Sequence, residues 1–216
     1  MVGTLTKYCG KMALVFENKV PASYRTDFVN KVKDISAKLG INPNWLMAIM
    51  YWESAKTFSP SIQNPSAGAT GLIQFMPSTA RGLGTSTNEL KQMSAVEQLD
   101  WVYKYYSSYK NKLNNYVDTY FVTFFPVAVG KPDNYVLQTN TLSPSLIASQ
   151  NPAFDVDKNK TVQVWEVKKV MLERLPKEWL NSANFGLFVQ SYKGYLLVGL
   201  SLIVGGSAYY YYKMKK

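Results

Sequence analysis

The chain has 216 residues, enough for one domain with a substantial core and short for two. Its 24 basic and 14 acidic residues leave a net charge of +10, which suits an anionic partner surface: cell wall, phospholipid or nucleic acid. Histidine is absent and Cys9 is the single cysteine, which excludes Ser-His-Asp and Cys-His catalysis, the usual zinc sites and any internal disulfide.

Taken in chain order, the first twenty residues have no clear period and read as a loosely held arm, without the apolar core and cleavage site of a secretory signal. Cys9 within them reads as a small buried thiol. Phe28, Val32, Ile35 and Leu39 share one face and predict a helix from about Ser23 to Leu39, closed by Gly40. A second helix opens at Asn42-Pro43, a cap followed by a first-turn proline, and carries Trp45, Leu46, Ile49 and Met50. Ser, Pro, Asn and Gly make a loop of the stretch from about Lys56 to Thr70. Ser94-Ala-Val-Glu97 is a capping box, and the helix after it shows Val96, Leu99, Val102, Tyr103 and Tyr106. More helix is expected through Tyr120. Pro126 to Pro152 reads as irregular, and a last helix runs from about Val162 to Leu175, ahead of Pro176. Little alternates like a strand.

The expected fold class is therefore mostly α: a helical domain over residues 21–180, a linker over 181–194 and one C-terminal transmembrane helix. Tyr195 to Tyr212 is 18 residues without a charge, about 27 Å long as a helix, close to the thickness of a bilayer core. Lys193 precedes it, Lys213, Lys215 and Lys216 follow, and its four closing tyrosines sit where an interfacial belt would. An apolar core helix is the alternative.

Glu53 stands out for a geometrical reason. Trp45, Ile49 and Glu53 are spaced i, i+4, i+8 and share one face of the second helix, which is otherwise apolar. Burial there disfavours the charged carboxylate and raises its pKa, which suits protonation of a glycosidic oxygen. Pairing with a lysine, or capping of a neighbouring turn, is the plainer role for the same residue.

The stretch from Glu53 reads ESAKTFSPSIQNPSAGATGLIQFMPSTARGLG. Glu53-Ser54, then Asn64-Pro65 with Ala67-Gly68-Ala69, then Gly71-Leu72-Ile73-Gln74-Phe75-Met76-Pro77 with Thr79-Ala80, resemble in order the signature of the Slt-type lytic transglycosylases of the lysozyme-like superfamily. The resemblance covers about Asn42 to Arg81 and is looser over Ser94 to Leu137. It implies a lysozyme-like fold and peptidoglycan glycan strands as substrate. It implies that Glu53 acts first as acid on the bond between N-acetylmuramic acid and N-acetylglucosamine. Glu53 then acts as base on the muramic acid C6 hydroxyl, closing a 1,6-anhydro ring without water or a second carboxylate. It implies no cofactor for catalysis, and substrate contacts from Gly71, Leu72, Ile73 and Gln74. Gly68 and Gly71 permit close backbone approach, and Gln74 offers a donor and an acceptor; a packed helix start with a surface amide is the alternative. Ser54 either orients the glutamate or is a helix-terminal hydroxyl. The family's Ala-Tyr-Asn-x-Gly element is replaced by a Phe-Pro-Val-Ala-Val-Gly-Lys-Pro run, Phe125 to Pro132, similar to phage-type members, with Tyr120 or Tyr135 as candidates for the missing sugar contact.

A second constellation lies downstream. Asp155, Asp157, Asn159, Thr161, Gln163 and Glu166 fall at positions 1, 3, 5, 7, 9 and 12 of a twelve-residue loop, the oxygen spacing of an EF-hand calcium site. The sixth position, normally glycine, is Lys160, which brings backbone strain and a positive charge. A structural calcium is expected, and a degraded loop that folds without metal is the alternative.

Two other classes of function stand beside the transglycosylase. A lysozyme-type hydrolase would need an aspartate to hold water, from Asp100, Asp118 or Asp133. A non-catalytic membrane-anchored protein would bind glycan or build a virion. Nucleic acid is not expected as a partner, because the basic residues are scattered and no recognition motif accompanies them. The terminal lysines would keep the C-terminus cytoplasmic and put the domain outside, yet no leader carries it there. A virion membrane that delivers the enzyme to the wall reconciles the two, with virion proteins as further partners; the bacterial envelope is the alternative.

Overall fold

Asn42 and Pro43 start the central helix, α2 (Pro43–Glu53), by local chemistry alone. The Asn42 side chain accepts the N–H of Asn44, and Pro43 occupies the first turn, where a missing N–H costs nothing. In the computed structural model, which describes residues 13–180, every residue from Asn44 to Tyr51 is buried. Leu46, Met47, Ile49 and Met50 are completely so. Burial of each such side chain is worth about 1.5–3 kcal/mol, so α2 is the axis of the core.

Around it, α1 (Arg25–Leu39) ends at Gly40 in the left-handed conformation, φ 74°, as a glycine cap does. Helices α3 (Pro77–Leu83) and α4 (Thr87–Gln92) are short; α5 (Ala95–Ser107) starts with the Ser94–Glu97 capping box, both bonds formed. Then come α6 (Tyr116–Phe124), α7 (Pro144–Gln150) and α8 (Val164–Glu173). Helix α1 packs on α2 and α5, α2 on α6, and α6 on α8. Among the described residues there are isolated β-bridges and no strand. One compact unit ends at Arg174; a second begins at Leu175, six residues before the expected boundary, and its described part carries the short helix α9 (Lys177–Leu180).

Three expectations need correction. Residues 13–20 are not a loose arm: Val15 and Val20 are fully buried, Val15 N–H donates to Asn44 Oδ1 at 2.8 Å, and the Phe16 ring stacks on Tyr51 at 4.0 Å. The stretch read as irregular contains α7, and the stretch between Thr70 and Ser94, to which no element was assigned, contains α3 and α4; each has six or seven residues, too short to display a helical period. The helix expected to run on to Tyr120 breaks at Ser108 and restarts at Asn115, whose side chain caps α6 by accepting from Asp118 N–H. No helix among the described residues is long and apolar enough to cross a membrane. The expected anchor, residues 195–212, and Cys9 lie outside the described residues.

Candidate active site

Glu53 is the last residue of α2, where the helix emerges from the core, and its side chain is half-buried. Its surroundings come from three other elements: Tyr106 on α5, Tyr116 and Tyr120 on α6, and Arg174 at the end of α8. Burial among them raises the Glu53 pKa from the usual 4.5 to about 7, and the Arg174 charge pulls part of the way back. Burial likewise pushes all three phenols well above their ordinary range, so they remain neutral donors and acceptors. A carboxyl group balanced between its two forms near neutrality is suited to give up a proton and take one back.

The chain turns sharply after Glu53. Ala55, Lys56 and Phe58 all have left-handed backbones, at φ 51°, 68° and 54°. Non-glycine residues adopt this conformation at a cost of about 1–2 kcal/mol each, and such strain concentrates at functional sites. Ser54, expected among the substrate-binding residues, is completely buried, and its hydroxyl accepts from Phe58 N–H at 2.8 Å. It closes this turn, the helix-terminal role that the sequence left open for it.

The Gly71–Gln74 segment forms a tight turn bridged by Thr70 and Phe75. Leu72 and Ile73 are buried, 0% and 2% exposed, and Ile73 also lines the small cleft beside Gln74. Gln74 is half-exposed, with left-handed backbone at φ 52° and its Nε2 donating to Gly71 O at 3.1 Å. It borders a small cleft with Met76, Thr79, Tyr105 and Thr123. Gly71 is glycine for a reason within the protein: at φ 85° it lies against the Gln98 side chain. Fully buried Gln98 accepts from Leu72 N–H at 2.6 Å and donates to Pro60 O at 3.0 Å and Leu90 O at 2.9 Å. It ties the turn to the loop after α2 and to α4. Its place in the capping-box helix gave no sign of this role.

Of the two candidate tyrosines, Tyr120 is nearly fully buried on α6, where the charges of Glu53 and Arg174 both act on its hydroxyl. Tyr135 is half-buried beneath Lys131 Nζ, 5.4 Å from its ring centroid. Asp100 pairs with Lys31 at 2.6 Å, Asp118 accepts from Gly130 N–H at 3.0 Å and from Asn115, and Asp133 pairs with Lys168. None of the three contributes to the Glu53 shift.

In the loop ahead of α8, one oxygen each from Asp155, Asp157 and Glu166 lie within 4.8 Å of one another. Glu166 is fully buried and accepts from the N–H groups of Val156 and Gln163, both at 2.7 Å. Asn159 accepts from Thr161 N–H, and Lys160 adopts the left-handed turn, φ 66°, that glycine usually makes. Asp155 Oδ1 is buried with no hydrogen-bond partner among the described residues, an orphaned oxygen in keeping with a cation ligand.

Residues 31–121, fewer than half of the chain, match the family model described as the transglycosylase SLT domain; this stretch runs from α1 into α6 and includes Glu53, the Gly71–Gln74 turn and Tyr120. No curated protein and no solved structure matches the chain.

Proposed function

We propose that this protein is a peptidoglycan lytic transglycosylase in which Glu53 is the acid and then the base. The observation that carries this reading is the Glu53 carboxyl itself, desolvated into a pKa of about 7 and lying inside the stretch that matches the SLT domain. In the protonated form it donates to the glycosidic oxygen as the bond from muramic acid C1 breaks. The resulting carboxylate accepts the C6 hydroxyl proton as O6 bonds to C1, giving the 1,6-anhydro product and restoring the acid. Gln74, half-exposed beside the cleft, is the residue best placed to contact the sugars, and Tyr120 shapes the surroundings of the carboxyl.

Hydrolysis would require a carboxylate to direct water. Asp100, Asp118 and Asp133 are each engaged elsewhere, which favours the transglycosylase over the hydrolase. Mass spectrometry of peptidoglycan digested by the full chain in detergent tests the reading. Anhydromuropeptides that vanish in Glu53→Gln support it. Reducing-end products would establish a hydrolase instead, and no cleavage by folded protein would favour a non-catalytic glycan binder.

The same proposal includes two parts that rest on less of the molecule. Asp155, Asp157, Asn159, Thr161 and Glu166 hold a structural calcium, supported by the buried, unpartnered Asp155 Oδ1. Residues 195–212 anchor the enzyme in a membrane, and a virion membrane fits an enzyme that opens the wall during entry; the uncharged run between lysines supports the anchor. Absence of the protein from purified particles would rule out the virion role.

A further inference from the structure

Trp52, the residue before Glu53 in α2, has two cations over its ring. Lys56 Nζ stands 4.7 Å from the ring centre and the Arg174 guanidinium carbon 5.4 Å. Each arrives by a different route. Lys56 lies in the strained turn after α2, where its backbone is left-handed at φ 68° and its N–H donates to Tyr51 O at 2.6 Å. Arg174 follows α8, with its guanidinium 5.3 Å from the Phe154 ring centre and Nη1 donating to Met171 Sδ at 3.4 Å. The shared indole is itself wedged edge-on against Tyr51 at 5.5 Å and Phe16 at 6.5 Å. An aromatic face attracts a cation by about 0.5–2 kcal/mol, which holds the group without neutralising it.

Neither cation has an anion. Among the described residues the ion pairs join Lys31 to Asp100, Lys38 to Asp34, Lys168 to Asp133 and Lys169 to Glu173. Glu173, although next to Arg174 in the chain, is turned to Lys169. The Trp52 N–H is likewise buried without an acceptor among the described residues. Two like charges gathered on one ring repel each other, and an anion shared between them relieves that repulsion. Lys56 is exposed and Arg174 half-exposed, so both are open to solvent.

Resting on the reading of this chain as a peptidoglycan lytic transglycosylase, we propose that Lys56 and Arg174 form a carboxylate-binding subsite over Trp52. Its ligand is the acid on the lactyl arm of muramic acid. A peptidoglycan strand is neutral except on that arm, which ends in a free carboxylate or continues into a peptide that carries carboxylates. The same sugar is the one whose C1 is released, so its acid travels with the reacting bond. Consecutive Cα atoms stand about 3.8 Å apart and consecutive helix side chains point about 100° apart. A group held over Trp52 therefore sits beside Glu53 and leaves the carboxyl free. The guanidinium offers the acid paired N–H donors, and the lysine adds a point charge. Lys56 lies within the stretch that matches the SLT domain and Arg174 beyond it, so the matched segment alone does not supply the pair.

The test measures kcat and KM of the full chain in detergent on three soluble strands. One bears stem peptides, one is stripped to free lactyl carboxylates, and one is the stripped strand converted to carboxamides. At least one acidic strand should have a KM about tenfold below that of the carboxamide, an advantage that shrinks at about 0.5 M salt. Whichever acidic strand shows it identifies the source of the carboxylate. Lys56→Gln and Arg174→Gln should each reduce that ratio, and the double variant should bring it to about one. A merely structural defect would raise KM for all strands alike and leave the ratio as it was. Lys56→Gln alters an exposed side chain and carries the test if Arg174→Gln does not fold. Equal KM for all three strands in wild type overturns the proposal, as does a ratio untouched by the substitutions. Binding of the same strands to Glu53→Gln reports the ratio in Kd without turnover, so failure of the catalytic reading and failure of the carboxylate subsite are told apart.

Discussion

Gly71 and the Gln98 side chain compete for one small volume: a Cβ at residue 71 would lie 2.3 Å from Gln98 Oε1 and 2.6 Å from its Nε2. Gly71→Ala must therefore displace an amide that makes three hydrogen bonds, two of them buried, while also holding alanine at φ 85°. A loss of about 3 kcal/mol in urea unfolding is expected. In a Gln98→Ala background the same substitution should cost distinctly less, because the clash is gone and only the backbone strain remains. Equal costs in both backgrounds would show that the two residues act independently.

The Glu53 shift makes a stability prediction with a definite sign. Below about pH 4.5 the carboxyl is protonated in folded and unfolded chains alike, and it adds no pH dependence. Between 4.5 and about 7 the unfolded chain releases its proton first, so stability falls as pH rises and levels off above 7. Glu53→Gln, which cannot ionise, should be more stable than wild type at pH 8 by about 2 kcal/mol, a figure discounted for partial exposure. At pH 4 the difference should nearly vanish; an equal difference at both values would mean that Glu53 is not held in a raised state.

Activity should follow the same titration. With Glu53 required as the acid in free enzyme, kcat/KM falls as pH rises through about 7. Glu53→Gln should reduce cleavage by about a thousandfold or more up to about pH 7, with the gap narrowing as wild-type activity falls above it. A profile flat from pH 5 to about 9 would assign the acid to another group.

Calcium can be read through thermal unfolding. Saturation to about ten times its Kd would add roughly 1.4 kcal/mol and raise Tm by about 3–5 °C, and Asp155→Ala should abolish the rise. Lys160→Gly removes a left-handed lysine and a local positive charge. It should stabilise the metal-free chain by about 1 kcal/mol and strengthen calcium binding as well. A Tm indifferent to calcium in both wild type and Lys160→Gly would mark the loop as self-sufficient, with Glu166 held by backbone N–H groups alone.

The sequence by itself determined what depends on neighbours along the chain. Asn42-Pro43 starts α2, Ser94 and Glu97 cap α5, Gly40 ends α1, and the apolar run through α2 marks Glu53 as a carboxyl forced toward the core; each is a matter of contacts within a turn or two of helix. Even there the tertiary setting matters, for α2 is buried all round from Asn44 to Tyr51 and Glu53 is half-exposed because the helix ends at it. The twelve-residue spacing of Asp155 to Glu166 was visible for the same local reason. Tertiary structure alone decided that Gly71 makes room for Gln98, that Ser54 closes a turn, and that Tyr120 is the candidate tyrosine on which the glutamate's charge acts. It also brought Arg174, which nothing in the sequence singled out, onto Trp52 and Phe154. These relationships join residues on different helices. Packing sets them, and packing optimises shape and charge across the core without leaving a periodic trace along the chain.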